Sequence, residues 1–282
     1  MVMGRSQRKS VLCPNCRRIV SADERLCPHC GIARPGSPWK NNPVSLGLSD
    51  GPQMVKLIIY ANVALFLVSL AISGGMFGPG FNPFRMFSPT TRGLVALGAT
   101  GTLLVRDVGW WTLVSANYLH GSILHIFFNM MALYQIAPLI TKLYGTHRFF
   151  TIFTFSGVGG FLVSYLMGIP ITVGASAALC GLIGAALFYG KNRGGLFGQA
   201  IYKQVGVWAL FILVSGFMIP QVNNSAHIGG MAVGALVAAI LGYNERSPER
   251  MLHRNLAAAC IVVTVLVLLW ALVRGLLYLF AA

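Results

Sequence analysis

The sequence predicts an all-α polytopic membrane protein, and three observations carry that reading. Only 10% of the 282 residues are charged and 56% are apolar, with a mean hydropathy of +0.71. A soluble chain carries roughly 25% charged residues, so this one cannot clothe a globule for water. Seven apolar runs recur, at about 57–76, 122–141, 149–169, 174–190, 205–219, 226–243 and 257–280, and most approach the ~20 residues that a spanning helix needs. The 21 Lys and Arg are also unevenly shared between the connections. Seventeen precede the first run or follow the second, fourth or sixth, and only Arg85, Arg92, Arg106 and Arg274 fall on the other side. The positive-inside rule then places the N-terminus in the cytosol and the C-terminus outside. The net charge of +15 is therefore topological information. It gives a basic face toward anionic lipid, and no nucleic-acid partner is expected.

In chain order, about 56 mostly polar residues precede the first run, so no secretory signal is read. Residues 1–34 hold a cysteine cluster, and 35–54, rich in Pro, Gly, Ser and Asn, read as a flexible linker. Residues 55–245 form a membrane core of six spans; 246–282 add a cytosolic connection and a seventh span. The long outside connection, about 77–121, is marked by turns at Gly78-Pro79-Gly80 and Asn82-Pro83 and by apolar Phe81, Phe84, Met86 and Phe87. Trp110 and Trp111 belong at headgroup level, so the stretch is expected in or on the outer interface. The aromatic stretch 148–155 reads as lipid-facing bulk, and Arg274 as a residue that snorkels to the outer surface.

Cys13-Pro-Asn-Cys16 and Cys27-Pro-His-Cys30 are two C-x-x-C knuckles. Four thiolates suit Zn²⁺ in a closed tetrahedral site, which is structural because no position stays open for chemistry. So short a segment has no core of its own, and metal ligation supplies its folding energy. Disulfides or a redox dithiol are the alternatives, and a cytosolic location disfavours structural disulfides. Cys180 and Cys260 lie within spans and read as small buried apolar residues. His29 reads as a bystander, and His147 and His253 as boundary residues that cap helices or meet headgroups.

The six acidic residues exclude chemistry by their positions. Asp23, Asp50 and Asp107 all lie outside the apolar runs, and no His is followed by Glu. An intramembrane aspartyl protease, an H-E-x-x-H zinc protease and a carboxylate proton relay are excluded.

Polar groups inside lipid are costly and are functional candidates by default. Span two opens with His120 and carries His125 and Asn129 on one face; span four opens with Gly174-Ala-Ser176; span six opens with Ala226-His227. All three spans begin on the outside, so Ser176, His227, His125 and Asn129 fall near one depth. Span four offers only about 15 helical residues, about 22 Å, short of a ~30 Å core. Ser176 is thus expected below the outer surface, at the floor of a water-filled cavity. Gly230 and Gly234 share the His227 face, and Gly181 and Gly184 lie near the Ser176 face, so two backbones can approach closely. That approach brings imidazole and hydroxyl together as general base and nucleophile, a dyad without a carboxylate. The Ser176 N–H, the His125 ring and the Asn129 amide are the candidate oxyanion donors, and the reaction class is peptide hydrolysis, with no catalytic cofactor. Taken singly, each of these residues also reads as helix-packing polar glue. A client-binding protein without catalysis and a channel or transporter are the other function classes. The presence of both Ser176 and His227 argues against the former, and the lack of an inverted repeat against the latter.

At these residues the sequence resembles the rhomboid intramembrane serine proteases. The matching pieces are Gly174-Ala-Ser176, Ala226-His227-x-x-Gly230-x-x-x-Gly234, His120-x4-His125-x3-Asn129, and Arg148-Phe-Phe after Gly145. The resemblance implies a six-helix rhomboid-like bundle over 55–245, with the zinc ribbon and the seventh helix as additions found in some members. It implies Ser176 as nucleophile, His227 as base, His125 and Asn129 at the oxyanion, and His120 lining the cavity. It also implies transmembrane protein substrates, cut near their outer end and often after a small residue, and a bacterial plasma membrane as the location. The ribbon is open to a cytosolic protein partner. The sequence departs from the family pattern at Ala177 (usually Gly), Cys180 (often an aromatic ring stacked on the base), Trp111-Thr112 (usually Trp-Arg) and Thr141 (usually Glu).

Overall fold

The computed structural model describes residues 9–14, 16, 18–38, 47–73, 87–219 and 222–281. Most of the expected linker centre and the turns at 78–83, with Phe81, Phe84 and Met86, lie outside the described residues. At the N-terminus, β1 (Ser10–Leu12) pairs antiparallel with β2 (Ile19–Ser21). Helix α1 (Gly51–Ile72) starts within the stretch expected to be linker, capped by the Asp50 carboxylate accepting from the Gln53 N–H at 3.2 Å.

The connection after α1 is a chain of short helices, α2 (Thr91–Ala96), α3 (Thr102–Asp107) and α4 (Thr112–Ser115), then a 3₁₀ turn at Ala116–Tyr118. It is packed onto the bundle: Leu97, Ala116 and Leu119 are fully buried. The remaining helices are α5 (Ile123–Tyr144), α6 (Thr146–Leu166), α7 (Ser176–Arg193), α8 (Gly195–Met218), α9 (Asn224–Leu241) and α10 (Met251–Ala281). Among the described residues six helices, α1, α5, α6, α8, α9 and α10, are long and apolar enough to cross a membrane. Helix α7 is not among the six, so a count of seven spans is not reached on that measure. Its last turn carries Lys191 and Arg193, which dilutes an already short apolar stretch. Helix α8 begins ahead of the run expected from 205 and takes in Lys203.

Helices α6, α7 and α9 form the centre. A side chain at Gly230 would collide with the Ala177 carbonyl, one at Gly234 with Gly181, one at Gly184 with Met231, and one at Gly160 with the Ala226 carbonyl. Glycines at these four positions let three backbones touch. The central place of α6 corrects the reading of 148–155. Arg148, Phe149, Phe150 and Phe153 are buried, and of the phenylalanines there only Phe155 is exposed. A helix walled by neighbours on several sides turns its bulk inward, and hydropathy alone does not say which helix is central.

Opposite the Ser176 end, a polar knot closes the bundle. The Arg148 guanidinium donates to the Ser247 carbonyl and Oγ, the Pro248 carbonyl and Asn244 Oδ1, at 3.1 to 3.3 Å. Glu249 accepts the N–H groups of His147 and Arg148, both at 2.9 Å, and so caps α6 from the α9–α10 connection. Its other oxygen lies 2.8 Å from His147 Nδ1. Burial opposes ionisation, but the His147 contact and the Arg148 N–H hold this carboxyl below the usual range. His253 caps as expected, accepting the Arg250 N–H at 2.9 Å.

Candidate active site and cysteine cluster

Three local devices place Ser176. Gly174, at φ +126°, adopts a backbone that side-chain-bearing residues rarely take, and its N–H donates to the Ala116 carbonyl at 2.8 Å. Thr100 and Thr172 exchange backbone hydrogen bonds, pinning the loop before α7 to the connection between α1 and α5. Helix α7 then starts at Ser176 without a side-chain cap, leaving first-turn N–H donors and the positive dipole end beside the hydroxyl.

His227 is set by the start of α9. Asn223 Oδ1 accepts the Ala226 N–H at 3.1 Å, and its Nδ2 donates to Ser164 Oγ on α6 at 2.6 Å. Asn224 Nδ2 reaches the Leu213 carbonyl on α8 at 3.2 Å. Sequence reasoning missed both asparagines, although an Asn pair ahead of an apolar run is a helix-start signal.

The two elements bring His227 Nε2 within 2.9 Å of Ser176 Oγ. The imidazole is 6% exposed, and its Nδ1 is buried without a hydrogen-bond partner among the described residues. With the neutral ring protonated on Nδ1, Nε2 accepts the hydroxyl proton. Cys180, at the position considered for ring stacking, is buried in the bundle.

His125 and Asn129 lie on α5, whose N-cap Ser122 accepts the His125 N–H at 3.2 Å. The Gly121 N–H approaches His125 Nδ1 at 3.5 Å, which leaves Nε2 as the protonated nitrogen. A Cβ at Gly174 would stand 2.7 Å from His125 Nε2 and 3.8 Å from Ser176 Oγ, so the glycine keeps open the space between ring and hydroxyl. Asn129 Nδ2 donates to the His125 carbonyl at 2.9 Å, and its second hydrogen meets no acceptor among the described residues. The His120 ring is fully buried, packed edge-on against His125 at 5.0 Å between centroids, and neither ring nitrogen has a partner among the described residues. The site thus brings a hydroxyl within hydrogen-bonding distance of an imidazole, with N–H groups close by, the set of groups that nucleophilic catalysis with oxyanion stabilisation uses.

The four N-terminal cysteines lie far away in sequence and meet one another. Cys13 and Cys30 sulfurs are 3.6 Å apart, Cys16 and Cys27 3.7 Å, and all four lie within 4.8 Å of one another. Ligands at about 2.3 Å on a tetrahedron stand about 3.8 Å apart, so the donor set fits one metal ion, and none of the four is in a disulfide. Burial, with contacts from Cys13, Cys30 and Cys27, pushes the Cys16 thiol up to about 12; only a cation at the centre favours four thiolates. The surrounding apolar cluster is small, Val20 and Ile32 beside the sulfurs. His29 lies on the surface, 3.3 Å from Arg18.

The family model described as the Rhomboid domain matches residues 107–244. The chain is 31% identical over 191 residues to Rhomboid protease GluP of Bacillus subtilis (strain 168), covering 68% of this chain and 35% of that protein. It is 33% identical to RHOMBOID-like protein 5 of Arabidopsis thaliana, covering 57% of this chain and 54% of that one. It is also 32% identical to the rhomboid relative YdcA of Bacillus subtilis (strain 168), covering 48% of this chain and 68% of that one. The alignments span about a third to just over half the length of GluP and RHOMBOID-like protein 5.

Proposed function

The chain belongs to the rhomboid family, and from that premise and the site geometry we propose that it is an intramembrane serine endopeptidase acting on transmembrane segments near their outer end. The observation that carries the reading is the 2.9 Å approach of His227 Nε2 to Ser176 Oγ. In this mechanism Ser176 Oγ attacks the scissile carbonyl carbon while its proton passes to His227 Nε2. The tetrahedral oxyanion is met by the Ser176 N–H, the His125 ring and the second amide hydrogen of Asn129. The imidazolium then gives its proton to the leaving amine, and water repeats the sequence on the acyl-enzyme. His120, buried against the His125 ring, would back that donor rather than line an open approach. The uncapped start of α7 and the small residues along α9 support these roles.

A fluorophosphonate probe tests the reading directly. We expect one adduct per chain, mapped by peptide mass spectrometry to Ser176 and absent from His227→Ala. Labelling elsewhere, or labelling unaffected by His227→Ala, rejects the dyad.

In the same reading residues 1–34 are a cytosolic ribbon, 35–54 a linker, 55–245 the six-helix core and 246–282 a connection and an additional helix. The N-terminus faces the cytosol and the C-terminus the exterior of a bacterial plasma membrane. Zinc is the metal that suits four thiolates, and it would hold the ribbon folded without taking part in hydrolysis. A strong chelator, or Cys13→Ser with Cys16→Ser, is expected to release about one zinc per chain and expose residues 11–34 to protease. Cleavage of a substrate in detergent should survive. Zinc release that leaves 11–34 protected, or that abolishes cleavage, overturns this separation of roles.

A further inference from the structure

A cavity of about 280 Å³ lies between the connection after α1 and the last helix, lined by Thr91, Arg92, Val95, Ala96, Arg274 and Tyr278. Only Arg85, Arg92 and Arg106, after the first apolar run, and Arg274, near the end of the seventh, fall on this side, and two of these four, from α2 and α10, face this one space. Arg274 is fixed there, its guanidinium carbon 5.4 Å from the Trp111 ring centroid. The ion pairs among the described residues are His147–Glu249 and Arg193–Glu245, so neither cavity arginine meets a carboxylate among the described residues.

Depth says where the missing anion comes from. Arg254 and Arg274 are 20 positions apart on α10, about 30 Å along a helix, which is one hydrocarbon thickness. Arg254 stands beside the polar knot, so Arg274 reaches the opposite headgroup layer. Because α10 returns antiparallel to α9, that layer is on the Ser176–His227 side of the membrane. Trp110 is exposed and Trp111 partly so at the same end, as interfacial aromatics are. We propose that this cavity binds the headgroup of an anionic glycerophospholipid of that leaflet. Arg92 and Arg274 grip the phosphate, Thr91 and Tyr278 offer hydroxyls, and Val95 and Ala96 receive the glycerol and the first methylenes. A zwitterionic headgroup carries an ammonium that finds no carboxylate among the residues lining the cavity, so the site selects net negative charge. The bound lipid would tie α10 to the connection that holds the loop of Ser176.

Native mass spectrometry of the full chain in detergent, titrated with phosphatidylglycerol or phosphatidylcholine of matched acyl chains, reads the site. We expect one phosphatidylglycerol per chain held about 25-fold tighter than phosphatidylcholine, with Arg92→Gln losing about 5-fold and Arg92→Gln/Arg274→Gln losing the preference, since each basic residue at a membrane surface is worth about a 5-fold change. Arg92 is exposed, so the single variant decides the matter if the double variant does not fold. Equal retention of the two lipids by the wild type, or an unchanged preference in Arg92→Gln, overturns the proposal. Displacement by inorganic phosphate at equal concentration overturns the lipid assignment in favour of a free anion.

Discussion

Ser176→Ala is expected to lower hydrolysis of a transmembrane reporter in liposomes by on the order of a millionfold, to the background of the assay, as removal of a serine nucleophile does elsewhere. His227→Ala should fall as far, and the double variant no further, because nucleophile and base act as one unit. Asn129→Ala should retain activity, slowed about 100- to 1000-fold, the range for loss of one oxyanion donor. The fold should be indifferent to Ser176→Ala: the hydroxyl makes one side-chain hydrogen bond, to His227, and α7 is held by its glycine and alanine contacts instead. Equal helix content and melting temperature, measured beside cleavage, separate lost chemistry from lost structure. Cleavage persisting in Ser176→Ala sinks the assignment. The absence of a carboxylate at His227 Nδ1 among the described residues also limits the ceiling. Disabling the third member of a triad costs about 10⁴-fold in turnover, so the wild-type rate should sit well below that of soluble triad proteases.

Much of this site was legible in the sequence because the membrane simplifies the problem. Helices that alternate in direction put every second start on one face, so Ser176, His227 and His125 could be assigned to one depth from span order alone. Small residues at Gly230, Gly234, Gly181 and Gly184 named the faces that touch. Four cysteines at knuckle spacing needed no tertiary information. Other features were not legible, each for a physical reason. Hydropathy measures transfer into an apolar medium and does not separate lipid from protein interior, so Phe149, Phe150 and Phe153 read as lipid-facing although α6 is central. Glu249 caps α6 from a hundred residues away, and no local pattern reports such a partner. Arg148 looked like one more inner-side cation, yet it is fully buried and bound by the carbonyls of a connection. Asn223 and Asn224 carried a cap signal, but their reach to Ser164 and Leu213 exists only once the helices are packed.

Gly230→Ala sets those packing arguments against helix propensity, and packing should win. In a helix interior alanine is better than glycine by up to about 1 kcal/mol, and Gly206→Ala on α8 should show that gain. A Cβ there meets nothing nearer than Leu187 Cδ2 at 3.9 Å, an ordinary contact. At Gly230, one turn along α9 from His227, the same Cβ runs into the carbonyl of Ala177, which follows Ser176 on α7. A carbonyl of a helix backbone cannot swing aside as a side chain can, so α9 must back away from α7. The cost of such overpacking is about 1–3 kcal/mol, more than the propensity gain, so Gly230→Ala should melt lower than wild type while Gly206→Ala melts equal or higher. The movement also opens the 2.9 Å Ser176–His227 distance, and a displacement of about 1 Å at a reacting pair costs about 100-fold in rate. Cleavage and melting curves of the two variants in one detergent therefore distinguish a tight seam from a loose one. Near wild-type cleavage by Gly230→Ala would mean that the α7–α9 seam has slack, and that something other than backbone contact sets the distance between hydroxyl and imidazole.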